Sequence, residues 1–314
     1  MFETARCHLL QTTVNRMGSG KVINHIIDLP GIGNARDLGG YAIGNRVVKP
    51  GVLLRAARLD QAQPEAIERL AREYRVQTVV DFRMTEERQS MPDPDIPGSD
   101  NIILPVTDMR DLMTANPAML EMYGGSLEDA LAASGRMMTL YTDPRTDRIA
   151  MFNQMCEYGL VSPDIYLSFL LGERGKQAYR AFFQALLQLE EGRAILWHCT
   201  DGKDRTGCAA MLALFALGAS RETVLEDYLM TNAVNARKLS AIREKATSYH
   251  MEDEKLELLL FLSGGAVEGF MDRAIDALTL RYGSAENYIE QELGIGEAER
   301  EALRARFLTQ TELD

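Results

Sequence analysis

The chain has 314 residues, 46% of them hydrophobic and 25% charged, with 34 basic and 46 acidic side chains giving a net charge of −12. This is the composition of an ordinary globular protein, and the acidic balance excludes a broad basic surface for nucleic acid. Any anionic ligand must be captured by local fields working against the overall one.

Residues 1–29 read as an N-terminal extension, with a strand or helix expected around 22–29. The opening MFETARCHLLQTTVNRMGSGK contains no apolar signal region. A cytoplasmic protein and one exported without a visible signal peptide both remain open. No run of about 18 apolar residues occurs, so membrane insertion is not expected. PGIGNARDLGGY, residues 30–41, is rich in glycine and reads as a loop. VVKPGVLLR (47–55) reads as a strand. PEAIERLAREY (64–74) is a helix opened by Pro64, with Ala66, Ile67, Leu70 and Tyr74 on one face. VQTVVDF (76–82) and NIILPV (101–106) suit buried strands.

The segment 107–165 is unusual, because eight of the sixteen methionines lie between Met109 and Met155. Gly124, Gly125 and Pro144 divide it into short helical pieces. It is expected to be a helical insertion packed by flexible side chains, with a mobile lid as the functional reading. Helix signals return over 174–190. ILW (195–197) is a strand that leads directly into HCTDGKDRTG, residues 198–207. GCAAMLALFALG is apolar all round and marks a buried helix ending at Gly218. Ser220 caps the next helix, and only helices follow, over about 236–248, 253–263, 266–281, 285–293 and 297–308. Strands alternating with helices, then helices alone, predict an α/β fold with a central, mostly parallel sheet flanked by helices. A single domain is expected over 30–314, with the lid-like insertion at 107–165 and C-terminal helices over 236–314.

Cys7, Cys156, Cys199 and Cys208 are the only cysteines. No CxxC pair occurs, a chain of this size needs no disulfide staples, and they read as free thiols. Cys199 stands apart. A strand, a loop with C-x5-R spacing and a buried helix together close around a tetrahedral anion. Backbone N–H groups and the helix dipole supply the positive field. Arg205 offers a planar fork for two phosphoryl oxygens. The same field favours thiolate over thiol at Cys199, and a thiolate facing a phosphomonoester is an in-line nucleophile. The expected phosphate-binding residues are Thr200, Asp201, Gly202, Lys203, Asp204 and Arg205. Cys199 attacks phosphorus, an acid protonates the leaving oxygen, and water hydrolyses the phosphocysteine. The Thr206 hydroxyl would assist sulfur as the leaving group. His198 fixes the loop rather than moving protons. This chemistry calls for no metal and no cofactor.

HCTDGKDRTG resembles the signature of the cysteine-dependent phosphatases, and more narrowly that of the atypical bacterial tyrosine phosphatases of the PtpB/LipA type, HCxxGKDRTG. NARDLGGY (34–41) is similar to an N-terminal motif of that family, with Ala35 in place of an aromatic residue. VVDFR (79–83), ILPVTD (103–108), EDYLMTN (226–232) and YGSAENYIEQELGI (282–295) extend the likeness over roughly 30–310. The resemblance implies a phosphatase fold with a helical lid. It also implies activity on phosphotyrosine proteins, in some members also on phosphoserine, phosphothreonine or phosphoinositides, with inorganic phosphate as product.

Three aspartates compete for the role of proton donor: Asp204 within the loop, Asp81 at the end of a strand, and Asp108 after ILPV. Asp81 could instead pair with Arg83 or Arg36, and Asp204 could hold Lys203 or Arg205. Asp201 stands where this family usually has alanine and where the myotubularin-like loop CSDGWDR has aspartate. It is either a solvated loop carboxylate or a reader of hydroxyls, with Lys203 taking a second phosphate. A phosphoinositide or inositol phosphate substrate is therefore the alternative to phosphotyrosine protein, and an inactive phosphate-binding module is a further one. Arg36 and Asp37 are expected to tie the N-terminal loop against the 198–206 loop.

Overall fold

The computed structural model describes residues 25–108, 110–111, 114, 121, 125–129, 164–248 and 251–310. The extension before residue 25 and most of the expected 107–165 lid, including Cys156, lie outside the described residues.

A five-stranded sheet has the order β1-β4-β7-β5-β6, where β1 is Arg36–Asp37, β4 Leu53–Ala56, β5 Val76–Asp81, β6 Asp100–Ile103 and β7 Ala194–His198. The last four are mutually parallel and β1 is antiparallel to β4. β7 lies at the centre and every residue of it is buried. Its side chains alternate between two cores, as the period of a strand requires. Ala194 and Leu196 pack with Leu54, Ala66, Leu70 and Val79 on one face. Ile195 and Trp197 face a larger core shared with the C-terminal helices. In register, His198 pairs with Ala56 on one side and Asp81 on the other. Three parallel strands thus end level where the chain leaves β7, and ligands of open α/β sheets gather at such carboxyl ends.

The short helices α1 (Pro64–Glu68) and α2 (Thr85–Ser90) precede β6. α3 (Ile165–Leu171) and α4 (Glu173–Gln188) precede β7. After it come α5 (Asp204–Leu217), α6 (Arg221–Val234), α7 (Ala236–Ser248), α8 (Asp253–Leu262), α9 (Glu268–Tyr282), α10 (Ala285–Gln291) and α11 (Glu297–Phe307). α5 is buried at every position from Thr206 to Leu217. A helix apolar on all sides needs cover on all sides, and the later helices wrap it. It stops at Gly218, whose φ of 93° is the left-handed C-terminal conformation. The Ser220 side chain accepts the Thr223 N–H and starts α6.

Four expectations need correction. The strand expected to be buried over 101–106 is β6, Asp100–Ile103, at the edge of the sheet and largely exposed. The strand expected over 47–55 is two strands, β3 (Arg46–Val48) and β4, divided at Pro50 and Gly51. Pro50 has no N–H to give a ladder, and Gly51 turns with φ 75° while its N–H goes to Asp37 Oδ2 at 2.6 Å. The glycine-rich stretch 30–41 is not loop throughout, because it contains β1. The C-terminus is not helical to its end, because β8 (Leu308–Gln310) joins β2 (Ala42–Ile43) and β3 in a second, antiparallel sheet. Three residues are too few to show an alternating pattern, and their partner lies some 260 positions earlier.

Candidate active site

Cys199 to Lys203 cross from β7 to α5 in five residues, and the loop is held from outside by its carbonyls. The Asn34 amide donates to the carbonyls of Asp201 and Gly202, both at 3.0 Å. Arg55 Nη2 donates to Gly202 O at 2.8 Å, and the Arg58 N–H to Thr200 O at 3.1 Å. In a planar trans peptide the next N–H points opposite the carbonyl. Tethering carbonyls 200, 201 and 202 outward therefore turns the amides of Asp201, Gly202 and Lys203 toward the inside of the loop. This is the local geometry of an anion cradle. Gly202 is required twice over. Its φ is +63°, and a Cβ there would lie 2.5 Å from the Ala56 and Ala57 backbone.

Behind the loop lies a sealed cluster. Arg55 and Arg36 are both fully buried. Arg55 Nη1 pairs with Asp227 Oδ2. Arg36 Nη1 donates to the Asp227 carbonyl at 2.5 Å and Nη2 to Thr231 Oγ1 at 3.3 Å. Burial, then the neighbouring Arg55, pulls the Arg36 guanidinium down to about 10. Asp37 accepts the N–H groups of Gly39 and Gly51. Within NARDLGGY it is therefore Asn34 that grips the 198–206 loop, while Arg36 anchors α6 and Asp37 holds its own turn.

At the mouth, Arg205 faces Glu87 of α2. Nη1 donates to Oε2 at 2.5 Å and Nη2 to Oε1 at 2.8 Å. The same carboxylate accepts the Thr200 hydroxyl and the Met84 N–H at 2.8 Å. Burial alone would raise the Glu87 carboxyl, but Arg205 outweighs it and the group is held down to about 2. Burial likewise opposes charge on Arg205, and Glu87 outweighs it, pushing that guanidinium well up. Two of the five Arg205 N–H donors serve Glu87, Nη2 also reaches Thr200 Oγ1 at 3.5 Å, and the rest are not used among the described residues.

His198 is fully buried, with Nε2 3.1 Å from Asp93 Oδ2 and Nδ1 3.4 Å from Cys199 O. Asp81, Asp93 and His198 lie close enough to share a cation. Arg83 already fills that place, with Nη2 2.7 Å from Asp81 Oδ2 and 2.6 Å from Asp93 Oδ2. Its Nε also donates to both Asp81 oxygens, at 2.9 and 3.1 Å. Asp108 pairs with Arg174 Nη2 at the start of α4. Asp204 accepts the Tyr166 hydroxyl at 2.7 Å.

Lys203 does not occupy the place expected of it. It is 2% exposed, and its ammonium donates to the Phe261 and Gly265 carbonyls at 2.5 and 3.1 Å. It also lies 3.6 Å from the centre of the Phe261 ring. Any contribution from Lys203 to an anion comes from its backbone amide. Cys199 and Cys208 are both buried free thiols, and burial pushes the Cys208 thiol up. The Thr206 hydroxyl is buried with no hydrogen-bond partner among the described residues. Glu87, Asn34, Arg55, Asp227 and Tyr166 were not singled out by the sequence. Signals for three of them were present: Asn34 lies in NARDLGGY, Asp227 in EDYLMTN, and Glu87 in the first turn of TEERQS, where such a residue caps its own helix.

A parallel sheet that delivers a cysteine into a loop of inward amides, with an arginine at its far end, defines the cysteine-dependent phosphatase class. The tyrosine phosphatase family model matches residues 27–309, and the chain belongs to that family. It is 30% identical over 285 residues to a Cupriavidus necator protein whose name assigns it as a tyrosine-protein phosphatase, covering 90% of this chain and 89% of the other. It is 26% identical over 295 residues to the triple specificity protein phosphatase PtpB of Mycobacterium tuberculosis, covering 90% and 98%. A tyrosine-protein phosphatase of Nostoc commune is 28% identical over 130 residues, 41% of this chain and 44% of the other.

Proposed function

We propose that this tyrosine phosphatase works through a phosphocysteine at Cys199, with Asp204 as the proton donor. The observation that carries the assignment of the acid is the state of the three competing carboxylates. Both Asp81 oxygens accept from Arg83, and Asp108 is paired with Arg174. Asp204 lies in the loop itself, its side chain is 25% exposed, and among the described residues no donor reaches its Oδ2. A general acid needs an oxygen free to carry the proton to the leaving group.

The phosphoryl oxygens sit against the amides of residues 201–203 and the remaining Arg205 donors. The Cys199 sulfur attacks phosphorus as the P–O bond to the tyrosyl oxygen breaks, and Asp204 gives that oxygen its proton. Water then attacks the phosphocysteine, Asp204 recovers a proton from it, the S–P bond breaks and inorganic phosphate leaves. The unpartnered Thr206 hydroxyl supports a hydrogen bond to the departing sulfur. Preorganised amides and a fixed guanidinium act on the charge that develops on the equatorial oxygens.

The substrate is a phosphoprotein, with phosphotyrosine the main side chain. The relative named as a triple specificity phosphatase supports phosphoserine and phosphothreonine as further substrates of this chain. A phosphoinositide is not favoured, since the Lys203 ammonium is committed to carbonyls. Cys199→Ser should reduce turnover of p-nitrophenyl phosphate and phosphotyrosine peptide by on the order of 10⁴-fold or more while inorganic phosphate still binds. Retained turnover in that variant would refute the proposal.

A further inference from the structure

Asp204 stands at the end of a chain of hydroxyl groups that the reaction itself does not require. Tyr166 of α3 donates to Asp204 Oδ1 at 2.7 Å. Its oxygen lies 2.8 Å from that of Tyr228 in α6, and Tyr228 Oη lies 3.2 Å from the Val267 amide before α9. Donor counting gives the chain a direction. A backbone N–H can only donate, so Val267 donates to the Tyr228 oxygen. Tyr166 has one proton, and the carboxylate takes it. The proton between the two tyrosines therefore comes from Tyr228. Every hydrogen in the series points toward Asp204.

Both tyrosines are buried, Tyr166 completely and Tyr228 to 1% exposure, and their rings meet at 90°, so neither hydroxyl is free to swing. Burial pushes both phenols up, and they remain neutral donors. The Lys203 ammonium lies 3.4 Å from the same Oδ1. One oxygen of Asp204 is thus loaded from two sides, and among the described residues no donor reaches the other. An unrestrained carboxyl would rotate and carry its proton on either oxygen. This one has a fixed plane and, among the described residues, a single oxygen without a donor.

We infer that Tyr166, oriented by Tyr228, is a positioning residue for proton transfer. It locks Asp204 so that Oδ2 carries the proton to the leaving group. This rests on Asp204 being the acid. Groups held in productive geometry react faster than the same groups left to rotate. In kcat/KM, which reads only the steps up to phosphocysteine formation, the effect belongs to leaving-group protonation.

The test compares Tyr166→Phe, Tyr228→Phe and Asp204→Asn on a phosphotyrosine peptide and on p-nitrophenyl phosphate, whose leaving group needs little protonation. Tyr166→Phe should lower kcat/KM on the peptide about tenfold and change kcat/KM on p-nitrophenyl phosphate by less than about twofold, because that ratio excludes the hydrolysis step common to both substrates. Tyr228→Phe should give a smaller loss with the same pattern, and it carries the test if Tyr166→Phe does not fold. On the Asp204→Asn background Tyr166→Phe should add nothing, because the group it positions is already disabled. Equal losses on both substrates, or a further loss on that background, overturn the inference. If Asp204→Asn discriminates between the substrates while neither tyrosine variant does, the positioning role falls and the acid stands. If Asp204→Asn itself does not discriminate, both fall.

Discussion

Two guanidinium–carboxylate clusters flank the same five-residue loop and do different work. Behind it, Arg36, Arg55 and Asp227 are sealed from water and bind protein groups. In front, Arg205 and Glu87 are equally well paired, but the Arg205 side chain is partly exposed and keeps donors that Glu87 does not use. The chemistry of the two pairs is the same. What differs is whether a donor left over can be reached. The Nε groups of Arg36 and Arg55 have no partner among the described residues but are buried, so that cluster is architecture, and it fixes the carbonyl side of the loop through Arg55. The front cluster is the one proposed to bind phosphate, and its carboxylate serves to aim the guanidinium.

The difference can be broken first at Asp227. Asp227→Ala leaves two buried guanidinium groups facing each other without their shared carboxylate. It should cost about 3–5 kcal/mol of unfolding free energy, measured by denaturant melts. An Asp227 variant of unchanged stability and lost turnover would erase the distinction between the clusters.

The front cluster predicts a pH dependence of stability. Glu87 is held near 2, below its ordinary 4.5. A depressed carboxyl binds fewer protons folded than unfolded, so its contribution is complete above the unfolded value and is lost as pH falls from about 4.5 toward about 2. A shift of that size corresponds to about 3 kcal/mol. The wild type should therefore lose about that much more than Glu87→Gln across the window, by melts at a series of pH values. Parallel curves would show that the Arg205–Glu87 pair contributes no net stability.

The smallest effect is at neutral pH, where Glu87→Gln keeps an acceptor for Arg205 but loses the charge that aligns it. A drop in kcat/KM of about tenfold, about 1.4 kcal/mol of transition-state stabilisation, is expected. The loss should appear with both peptide and p-nitrophenyl phosphate, since in the proposed mechanism the guanidinium acts on the phosphoryl group. A loss confined to peptide would move Glu87 from aligning Arg205 to protonating the leaving group.

Sequence legibility follows the same division. HCTDGKDRTG carries its own geometry, because the strand before it, the glycine within it and the apolar helix after it are all local. The position of β7, the loop, the extent of α5 and the C-terminal run of helices could be read from such patterns. β8 could not, since its partner lies some 260 positions earlier; the split at Pro50–Gly51 could have been, because a proline without a ladder N–H followed by a turning glycine is a local signal. Among site residues, Lys203 shows the limit most clearly. A lysine beside a phosphate loop reads as a phosphate ligand until α8 and the turn after it arrive with two carbonyls and an aromatic face.

The sequence by itself determined which groups can react and in what order the chain presents them: a thiol, a run of amides, an arginine and the dipole of a helix, all within nine residues. Only the tertiary structure decided which carboxylate keeps an oxygen without a donor among the described residues, which cation is spent and what holds the arginine in place. Those choices are made by contacts spanning 38 residues from Tyr166 to Asp204, 118 from Glu87 to Arg205 and 167 from Asn34 to Asp201. A side chain's charge is written in its covalent structure, but whether that charge is available depends on burial and on partners brought close by folding.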